Sequence, residues 1–336
     1  MLAGPGTVLR IATFNLESLD DGPQVPVPLS ARIEVLRPQL LCLNADILCL
    51  QEVNGQHPAG GGPRRLLALD RLLETTPYAR FHRAATSRVV GAEAKSDASR
   101  GVDAVHNLVV LSRYSLAAVR ELHHDLVAPP AYRMATAAPP AAGQSPVEWD
   151  RPILHVTIDL PSGQTLDLVN LHLRAPLAAP VPGGKIESLA WKAVSPWAEG
   201  FFLAAVKRAG QALEVRLLAD SILDADSDAL IAVAGDFNAG VEETPVRIVR
   251  GDPADTGNAK LAERALSAIE GQVPEALRYS VVHAGRRELL DHILVSRALL
   301  DRVHSLEIHN EGLDDELDAE GPGSHHAPLV ASFDMN

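Results

Sequence analysis

Polar side chains that can bind a metal ion or move a proton stand at the ends of apolar segments along this chain. In "LLDHILVS" (289–296), Asp291 stands at the start of an apolar run. In "GSHHAPLVASF" (323–333), two histidines precede a second apolar run. One Asn or Asp at a strand end is more often a turn former than a ligand, so the prediction depends on the whole set. Its members are Asn15, Gln51, Glu52, Asn170, His172, Asp236, Asn238, Asp291, His325 and His326. Oxygen and imidazole groups gathered at one sheet edge can hold a hard divalent cation and a phosphate.

Short apolar runs rich in Val, Ile and Leu predict the strands that would position these side chains. The runs are 8–16, 47–53, 107–113, 153–160, 165–173, 229–238, 289–296 and 327–333. Helical periodicity falls between some of them, at 31–43, 64–74 and 201–225, although Pro38 interrupts the first. Strands joined sometimes by helices and sometimes by turns are typical of an α/β sandwich with the sheets inside.

Two long segments rich in Pro, Gly and Ala, 128–147 and 174–197, are predicted to be loops on one rim. Long loops in compact domains usually carry function or are mobile. Trp149, Trp191 and Trp197 flank them and either form an apolar wall for a lipid or nucleobase or pack the loops themselves. Neither these segments nor the acidic stretch 310–323 contains a motif that identifies a ligand.

The net charge of −13 over 336 residues repels polyanions, and no cluster of Lys or Arg interrupts it. We therefore expect no strong affinity for nucleic acid, which depends on cations placed against phosphates. Cys42 and Cys49 are predicted to be core side chains, as suits a reducing compartment. With no apolar run of membrane-spanning length and no basic leader, the sequence predicts a cytoplasmic protein without a transmembrane segment, folded as a single domain over 1–336.

Seven motifs in order, "TFNLES", "ILCLQEV", "HNLVVLSR", "LVNLHL", "VAGDFNA", "LLDHILVS" and "SHHAP", resemble those of the endonuclease/exonuclease/phosphatase superfamily. The resemblance extends from about residue 8 to residue 333. It implies the deoxyribonuclease-I-like fold, a four-layered α/β/β/α sandwich with two packed mixed β-sheets. It also implies hydrolysis of phosphoester bonds with Mg²⁺ or a similar ion.

The resemblance assigns the metal and the attacking water to two strand ends. It makes Glu52 the main carboxylate ligand of the metal ion, with Asn15 as a second ligand beside it. Asp236 would orient or deprotonate the water, and Asn238 would steady the water or the phosphate. The i, i+2 spacing puts both side chains on one face of a strand, and Phe237 between them should point into the core.

The resemblance assigns the phosphate contacts to histidines. His326 would contact the scissile phosphoryl group, while Asp291 holds its imidazole in one tautomer and favours its charged form. The neighbouring His292 is predicted to be a packing residue. His172 would be either a second phosphate contact or the acid that protonates the leaving oxygen. The remaining candidates for substrate binding are Asn107 and Asn170.

One position departs from the superfamily pattern. Most relatives have Ser-Asp-His before the last strand, whereas this chain has Ser324, His325 and His326. Pro328 follows at the usual spacing for His326 to be the phosphate contact, so His325 replaces the acid. An imidazole suits Mn²⁺ better than Mg²⁺ as a ligand, and we expect one of these two ions as cofactor, with His325 as a further metal ligand. The alternative places His325 in solvent without a role.

Three functions fit these residues. The first is a metal-dependent phosphodiesterase or phosphatase that acts on a small or lipid-like phosphoester by in-line attack of an Asp-activated water. The second is a nuclease acting on DNA or RNA, disfavoured because aromatic residues are only 4% of the chain and are not interleaved with Lys or Arg. The third is an inactive binding module of the same fold, against which the retained set of candidate residues argues.

Overall fold

The computed structural model describes residues 8–89, 100–188, 190–317 and 321–335. The strands in these residues are β1 Val8–Leu19, β2 Ile47–Val53, β3 His82–Ala85, β4 Arg88–Val89, β5 Arg100–Gly101, β6 Asn107–Ser112, β7 Leu116–Leu122, β8 Ala131–Tyr132, β9 Ser145–Pro146, β10 Ile153–Asp159, β11 Thr165–His172, β12 Leu230–Asp236, β13 Ser267–Ala268, β14 Val281–His283, β15 Arg286–Glu288, β16 Asp291–Val295, β17 Val303–Ile308 and β18 Leu329–Asp334. The α-helices are α1 Leu29–Leu43, α2 Leu67–Leu73, α3 Val194–Ala225, α4 Thr244–Arg250 and α5 Arg297–Leu300. Short 3₁₀ helices occupy Pro77–Arg80, Ala259–Arg264, Glu270–Gln272 and Glu275–Leu277.

Two six-stranded sheets form the centre of the fold. The first has the strand order β17-β18-β1-β2-β6-β3, and the second has the order β13-β16-β12-β11-β10-β7. Both sheets are mixed, because β1 runs parallel to β2 and β11 runs parallel to β12, while their other neighbours are antiparallel. Each sheet therefore contains one parallel pair whose two carboxyl ends lie at the same edge.

Apolar side chains fill three layers around these sheets. One core cluster lies between the sheets and includes Ile47, Leu168 and Phe333. A second packs α1 and α2 on the outer face of the first sheet, and a third packs α3 and α4 on the outer face of the second. Burial on both faces explains why the central strands read as nearly continuous apolar runs. The predicted four-layered α/β/β/α sandwich is confirmed.

The predicted central strands are all present, but the sequence missed strands at the sheet edges. Most of β7 is exposed and β17 is only partly buried, so neither has the apolar run that identifies a buried strand. Helix α3 begins at Val194, so the end of the predicted loop 174–197 is helical. Cys49 is buried as predicted, whereas the prediction for Cys42 is wrong because its side chain is exposed on α1.

The two long segments pack against each other and against the start of α3. We call residues 128–147, 174–188 and 190–202 the rim lobe. Its small core includes Val147, Ala179 and Val181. The buried carboxylate of Glu199 accepts a 2.8 Å hydrogen bond from the Thr136 amide and thereby joins the first segment to α3. No helix in the described ranges is long and apolar enough to cross a membrane.

Candidate functional site

The parallel pairs of the two sheets bring the predicted residues to one edge of the sandwich. On the first sheet, Asn15 of β1 is paired with Gln51 of β2, so Glu52 follows directly at the strand end. On the second sheet, His172 of β11 is paired with Asp236 of β12, and Asp236 is paired with Asp291. Since the carboxyl ends of parallel strands meet at one edge, residues distant in sequence converge there.

The amide of Asn15 links the two main carboxylates. Its Nδ2 donates to Glu52 Oε1 at 3.1 Å and to Asp236 Oδ2 at 3.0 Å, while its Oδ1 accepts from the Glu17 amide at 2.8 Å. Asn15 lies beside Glu52, as the sequence predicted. In this orientation its oxygen is engaged with the backbone, so the side chain positions the carboxylates and is not aimed at a metal ion.

Backbone strain is concentrated at this rim. Glu17, Ser18, Glu52, His106 and Asn238 all have positive φ angles, between 46° and 57°. They are five of the nine non-glycine residues with positive φ in the described ranges. A bulky side chain in this region costs about 1–3 kcal/mol and persists only where the surrounding contacts hold it, which is a feature of functional sites.

Glu52 is held as an anion. Its Oε2 accepts hydrogen bonds from the Ser18 amide at 3.0 Å and the Ser18 hydroxyl at 3.1 Å, and it lies 3.5 Å from His106 Nδ1. Burial alone would raise its pKa, but His106 and the hydrogen bond from Asn15 hold the pKa of Glu52 well below its usual range. The carboxylate is therefore ionised and ready to coordinate a cation.

Asp236 is buried, and its pKa is shifted close to neutral pH. Asn238 donates from its backbone amide to Asp236 Oδ1 at 2.7 Å and from its side chain to Oδ2 at 3.1 Å. Burial raises the pKa of Asp236 to about 7, with Asp291 adding to the rise and His326 opposing it. Gly235 precedes it at φ +145°, where a Cβ would lie 2.0 Å from the Leu171 carbonyl oxygen, so this approach of β12 to β11 requires glycine.

The predicted pair of His326 and Asp291 is formed. His326 Nδ1 lies 2.8 Å from Asp291 Oδ2, and its Nε2 lies 3.9 Å from Asp236 Oδ2. Burial opposes the charged form, but Asp291 and Asp236 raise the pKa of His326 to about 10. The imidazole is therefore a cation at neutral pH. Ser324 fixes its loop by donating to the Asn15 carbonyl at 2.8 Å.

His172 differs from His326 in being neutral. Burial and the nearby Arg151 guanidinium hold the pKa of His172 well below its ordinary value. Its Nε2 lies 3.3 Å from Asp236 Oδ2 and 3.7 Å from Glu52 Oε1, while its buried Nδ1 has no hydrogen-bond partner. A buried N–H without an acceptor is costly, so the single proton belongs on Nε2, facing the carboxylates.

Asn107 and Asn170 were predicted to bind substrate, but their side chains hydrogen-bond to the backbone and support the structure. Asn170 is fully buried, donates to the backbone oxygens of Leu50 and Val109, and accepts from Gln51 Nε2 at 2.7 Å. Its amide is saturated between the sheets and does not face the rim. Asn107 donates to the Val53 carbonyl at 2.8 Å and to the carbonyl of residue 103, and so holds the loop that carries His106. The geometry does not support substrate contact by either amide.

His325 fits neither of the two alternatives that the sequence left open. Its Nδ1 lies 2.7 Å from Glu17 Oε1, and its backbone amide donates to Glu17 Oε2 at 2.7 Å. The side chain is 13% exposed, so it does not face solvent freely. It is not among the imidazoles that converge on Glu52. The carboxylate of Glu17, on β1, pairs with the His325 imidazole.

Among the residues that the structure describes, two groups of donor atoms could hold a metal ion, each with its atoms within 4.8 Å of one another. The first is Glu52, His106 and His172, and the second is Asp236, Asp291 and His326. Metal ligation needs ionised carboxylates and unprotonated imidazole nitrogens. The high pKa of His326 argues against the second group. In the first group Glu52 is ionised, so Glu52 with His106 fits a divalent cation better, while the Nε2 proton of His172 keeps that nitrogen out of the coordination.

Three residues of the site were not predicted from the sequence. Glu17 pairs with His325, His106 approaches Glu52, and the partly buried Arg151 lies 3.5 Å from the His172 carbonyl. His106 and Arg151 come just before β6 and β10, so the strand-end rule that found the others could have found them. Glu17 lies inside "TFNLES", and only the tertiary fold shows its partner.

Two cavities flank the site. One of about 500 Å³ is lined by Glu17, Asp20, Arg32 and His325. The other, of about 560 Å³, is lined by His106, Trp149, Arg151, Arg174 and Lys207. Trp149 is a buried wall residue whose Nε1 donates to Glu214 Oε2 at 3.0 Å, so it packs the wall as well as lining the space. The rim therefore has open space on both sides of the site.

A four-layered sandwich with carboxylate, amide and imidazole side chains at this edge defines the class of deoxyribonuclease-I-like proteins, a superfamily of metal-dependent phosphoesterases and nucleases. The sequence model of the Endonuclease/Exonuclease/phosphatase family matches residues 12–313. The chain belongs to this family, and the resemblance found in its motifs is confirmed. No curated protein sequence matches the chain significantly.

Solved structures agree with the fold. An endonuclease/exonuclease/phosphatase from Bacteroides vulgatus superposes with a TM-score of 0.56 at 17% identity, covering 98% of this chain and 100% of that one. A family protein from Bacteroides thetaiotaomicron gives 0.56 at 14%, covering 98% and 97%. Truncated TDP2 from Caenorhabditis elegans gives 0.55 at 13%, covering 97% of each chain. At such identities the likeness concerns the fold alone.

Proposed function

We propose that this chain is a metal-dependent phosphoester hydrolase that acts on a small or lipid-like phosphoester by in-line attack of an Asp236-activated water. One observation carries the proposal. A carboxyl group with a pKa near 7 lies 3.9 Å from an imidazolium, beside an ionised carboxylate that can hold a cation. These are the base, the charge stabiliser and the metal ligand that phosphoester hydrolysis needs.

Asp236 is the proposed base. A general base is most effective when its pKa lies near the working pH, and burial supplies that shift. Asn15 and Asn238 fix the carboxylate from two sides. Asp236 Oδ1 accepts one hydrogen bond, from the Asn238 amide, and has capacity to accept the proton of a water.

His326 is the proposed contact for the phosphoryl oxygens. Its Nδ1 is held by Asp291, which leaves the Nε2 proton directed toward Asp236 and the open rim. An imidazolium held there stabilises the charge that develops on the phosphoryl group. His172 is neutral, so of its two predicted roles we favour the phosphate contact through Nε2–H over proton donation to the leaving oxygen.

Glu52 and His106 would hold the metal ion, with Asn15 positioning the carboxylate. Glu52 already accepts hydrogen bonds from Asn15 and Ser18, and a carboxylate with about four lone-pair sites retains capacity for a metal bond. When bound, Mg²⁺ or Mn²⁺ would act as a Lewis acid on a phosphoryl oxygen. The nitrogen donor of His106 favours Mn²⁺ over Mg²⁺.

The substrate class rests on surface charge. The net charge of −13 disfavours long polyanions, while the flanking cavities offer room for compact groups. The same constellation would also cleave nucleic acid if a polymer reached it, so the test must include one.

Release of product from three substrates tests the proposal. Purified protein is given bis-p-nitrophenyl phosphate, p-nitrophenyl phosphate and plasmid DNA, each with Mg²⁺, with Mn²⁺ and with a chelator. We expect metal-dependent release from a small ester, faster with Mn²⁺, and little plasmid cleavage. Plasmid cleavage faster than small-ester hydrolysis would establish the nuclease instead. No product from any substrate would reject hydrolysis.

A further inference from the structure

Exposed apolar side chains are concentrated on the rim lobe. Among the described residues, sixteen large hydrophobic side chains are exposed, and six of them fall between residues 177 and 202. These six, with exposed fractions from 43% to 77%, are Leu177, Ile186, Val194, Trp197, Phe201 and Phe202. Scattered exposed apolar residues need no explanation, but a concentration of this kind indicates an interaction surface.

The aromatic part of this surface is preformed. Val194, Trp197 and Phe201 recur at i, i+3 and i+7 on α3, so they share one helix face. The rings of Trp197 and Phe201 stack with centroids 5.6 Å apart, and Phe202 packs against Tyr132 at 5.3 Å. Because Glu199 ties the helix to the 132–136 segment, the surface needs little ordering before it binds.

The charge of the lobe is opposite to that of the rest of the protein. Arg133, Lys185 and Lys192 form no ion pair with a carboxylate within the described ranges, and Glu187 is the one exposed acid of the lobe there. The chain as a whole carries −13. Exposed Trp and Phe accompanied by Lys and Arg match the boundary between acyl chains and anionic head groups.

We propose that the rim lobe docks on an anionic lipid surface through Trp197, Phe201 and the neighbouring apolar side chains. A second copy of the chain is a poorer occupant, because two lobes face to face would bring like cations together. A nucleic acid is also poorer, because its affinity depends on many cations and the lobe presents few among large aliphatic groups.

Docking would place the catalytic rim beside the lipid. On α3, Arg208 donates to the Asn238 carbonyl at 2.7 Å, and Phe201 precedes it by seven residues. At 1.5 Å per residue, Phe201 lies roughly 10 Å from that contact along the helix and Trp197 roughly 16 Å. The docking does not depend on the proposed hydrolysis. Its consequence, that phosphoesters at the lipid surface reach the site, rests on the proposed function.

Flotation with lipid vesicles tests the docking without reference to catalysis. Full-length protein is mixed with vesicles of phosphatidylcholine alone or with added phosphatidylglycerol, and the bound fraction is measured over a range of salt. We expect binding to the anionic vesicles that weakens with salt, and a loss of about tenfold or more in the double variant Trp197→Glu/Phe201→Glu. Hydrolysis of soluble bis-p-nitrophenyl phosphate should be unchanged in that variant.

The matched control is Leu213→Glu/Leu217→Glu, which alters two exposed leucines farther along α3. This control should bind vesicles like the wild type. Equal binding by wild type and the Trp197→Glu/Phe201→Glu variant would overturn the proposal, as would no binding to either vesicle. If light scattering shows a dimer that the Trp197→Glu/Phe201→Glu variant dissociates and the control does not, and no vesicles are bound, the surface belongs to a second copy. Wild type that binds vesicles but hydrolyses no phosphoester would refute the proposed function alone.

Discussion

Two acid–histidine pairs meet at β16 and have different surroundings. Asp291 and His292 are neighbours in sequence, and alternation along a strand turns them to opposite faces. Asp291 binds His326 at 2.8 Å on the rim, whereas His292 binds Glu270 Oε1 at 2.6 Å inside the protein. The His326 side chain is 16% exposed and that of His292 is 0% exposed.

The difference lies in the second ring nitrogen. His292 Nε2 donates to the Ala239 carbonyl at 2.7 Å, so both of its nitrogens are engaged and the ring fixes the turn after Asn238. His292 is thus buried as predicted, but it also makes specific hydrogen bonds. His326 Nε2 makes no hydrogen bond within the described residues and faces Asp236. Of two similar pairs, the one with a free nitrogen can act on a substrate.

The largest expected effect is the loss of activity on removing the free nitrogen. His326→Ala should lower kcat/KM for bis-p-nitrophenyl phosphate by about 10²–10⁴-fold, because a charged group that touches the phosphoryl oxygens is lost. The variant should remain folded, although loss of the partner of the buried Asp291 carboxylate lowers its urea unfolding midpoint. Retention of more than about a tenth of the wild-type rate would contradict the role of His326.

Removing the acid from each pair should affect catalysis in one case and stability in the other. Asp291→Asn should reduce kcat by about 10²-fold through a less favoured imidazolium on His326. Glu270→Gln should instead destabilise the fold by about 3 kcal/mol, because it leaves His292 buried without its anion. Urea unfolding and steady-state kinetics on both variants check this. Equal kinetic and stability losses in the two variants would show that the pairs do not differ in role.

Substitution of the proposed metal ligand should cause a smaller loss of activity, which added metal should partly restore. Glu52→Gln removes the ionised carboxylate beside His106 and should weaken Mn²⁺ binding by about 10–100-fold. Calorimetric titration with Mn²⁺ measures the affinity directly, and high Mg²⁺ or Mn²⁺ should restore part of the activity. An unchanged metal affinity would exclude Glu52 as a ligand.

The smallest expected effect concerns stability at Asp236. Because its folded pKa is raised to about 7, the folded state binds a proton that the unfolded state has released between the two pKa values. Stability therefore falls as pH rises through that window, and a buried anion remains above it. In chelator at about pH 8, Asp236→Asn should raise the free energy of unfolding by about 0.5–2 kcal/mol, with a smaller gain at about pH 5. A loss of stability at both pH values would contradict the raised pKa.

The sequence predicted the central strands because both of their faces are buried and their apolar runs are uninterrupted. It could not predict β7 or β17, whose edge positions leave them partly exposed. Glu52, Asp236 and His326 could be predicted as candidates because strand ends and motif spacing mark them. Beyond the pair of His326 and Asp291, these signals say which residues converge but not which neighbour each one binds.

Apart from the pair of His326 and Asp291, the hydrogen-bond partners across the rim could not be predicted. Asn170 shares a strand face with His172. Its amide, however, makes all of its hydrogen bonds to Leu50, Val109 and Gln51 of the other sheet. His325 was expected at the metal or in solvent, but Glu17, 308 residues away in sequence, binds it. Such pairings depend on how the two sheets pack, which local sequence does not specify.

The central claim is that a phosphoester is hydrolysed at this rim with Asp236 as the base. Hydrolysis of bis-p-nitrophenyl phosphate with Mn²⁺ by the wild type and by Asp236→Asn, which keeps the shape of the side chain, tests it most directly. We expect metal-dependent turnover by the wild type and a loss of about 10²–10⁴-fold in the variant, with the variant fully folded. Turnover by the folded variant within about tenfold of the wild type would contradict it.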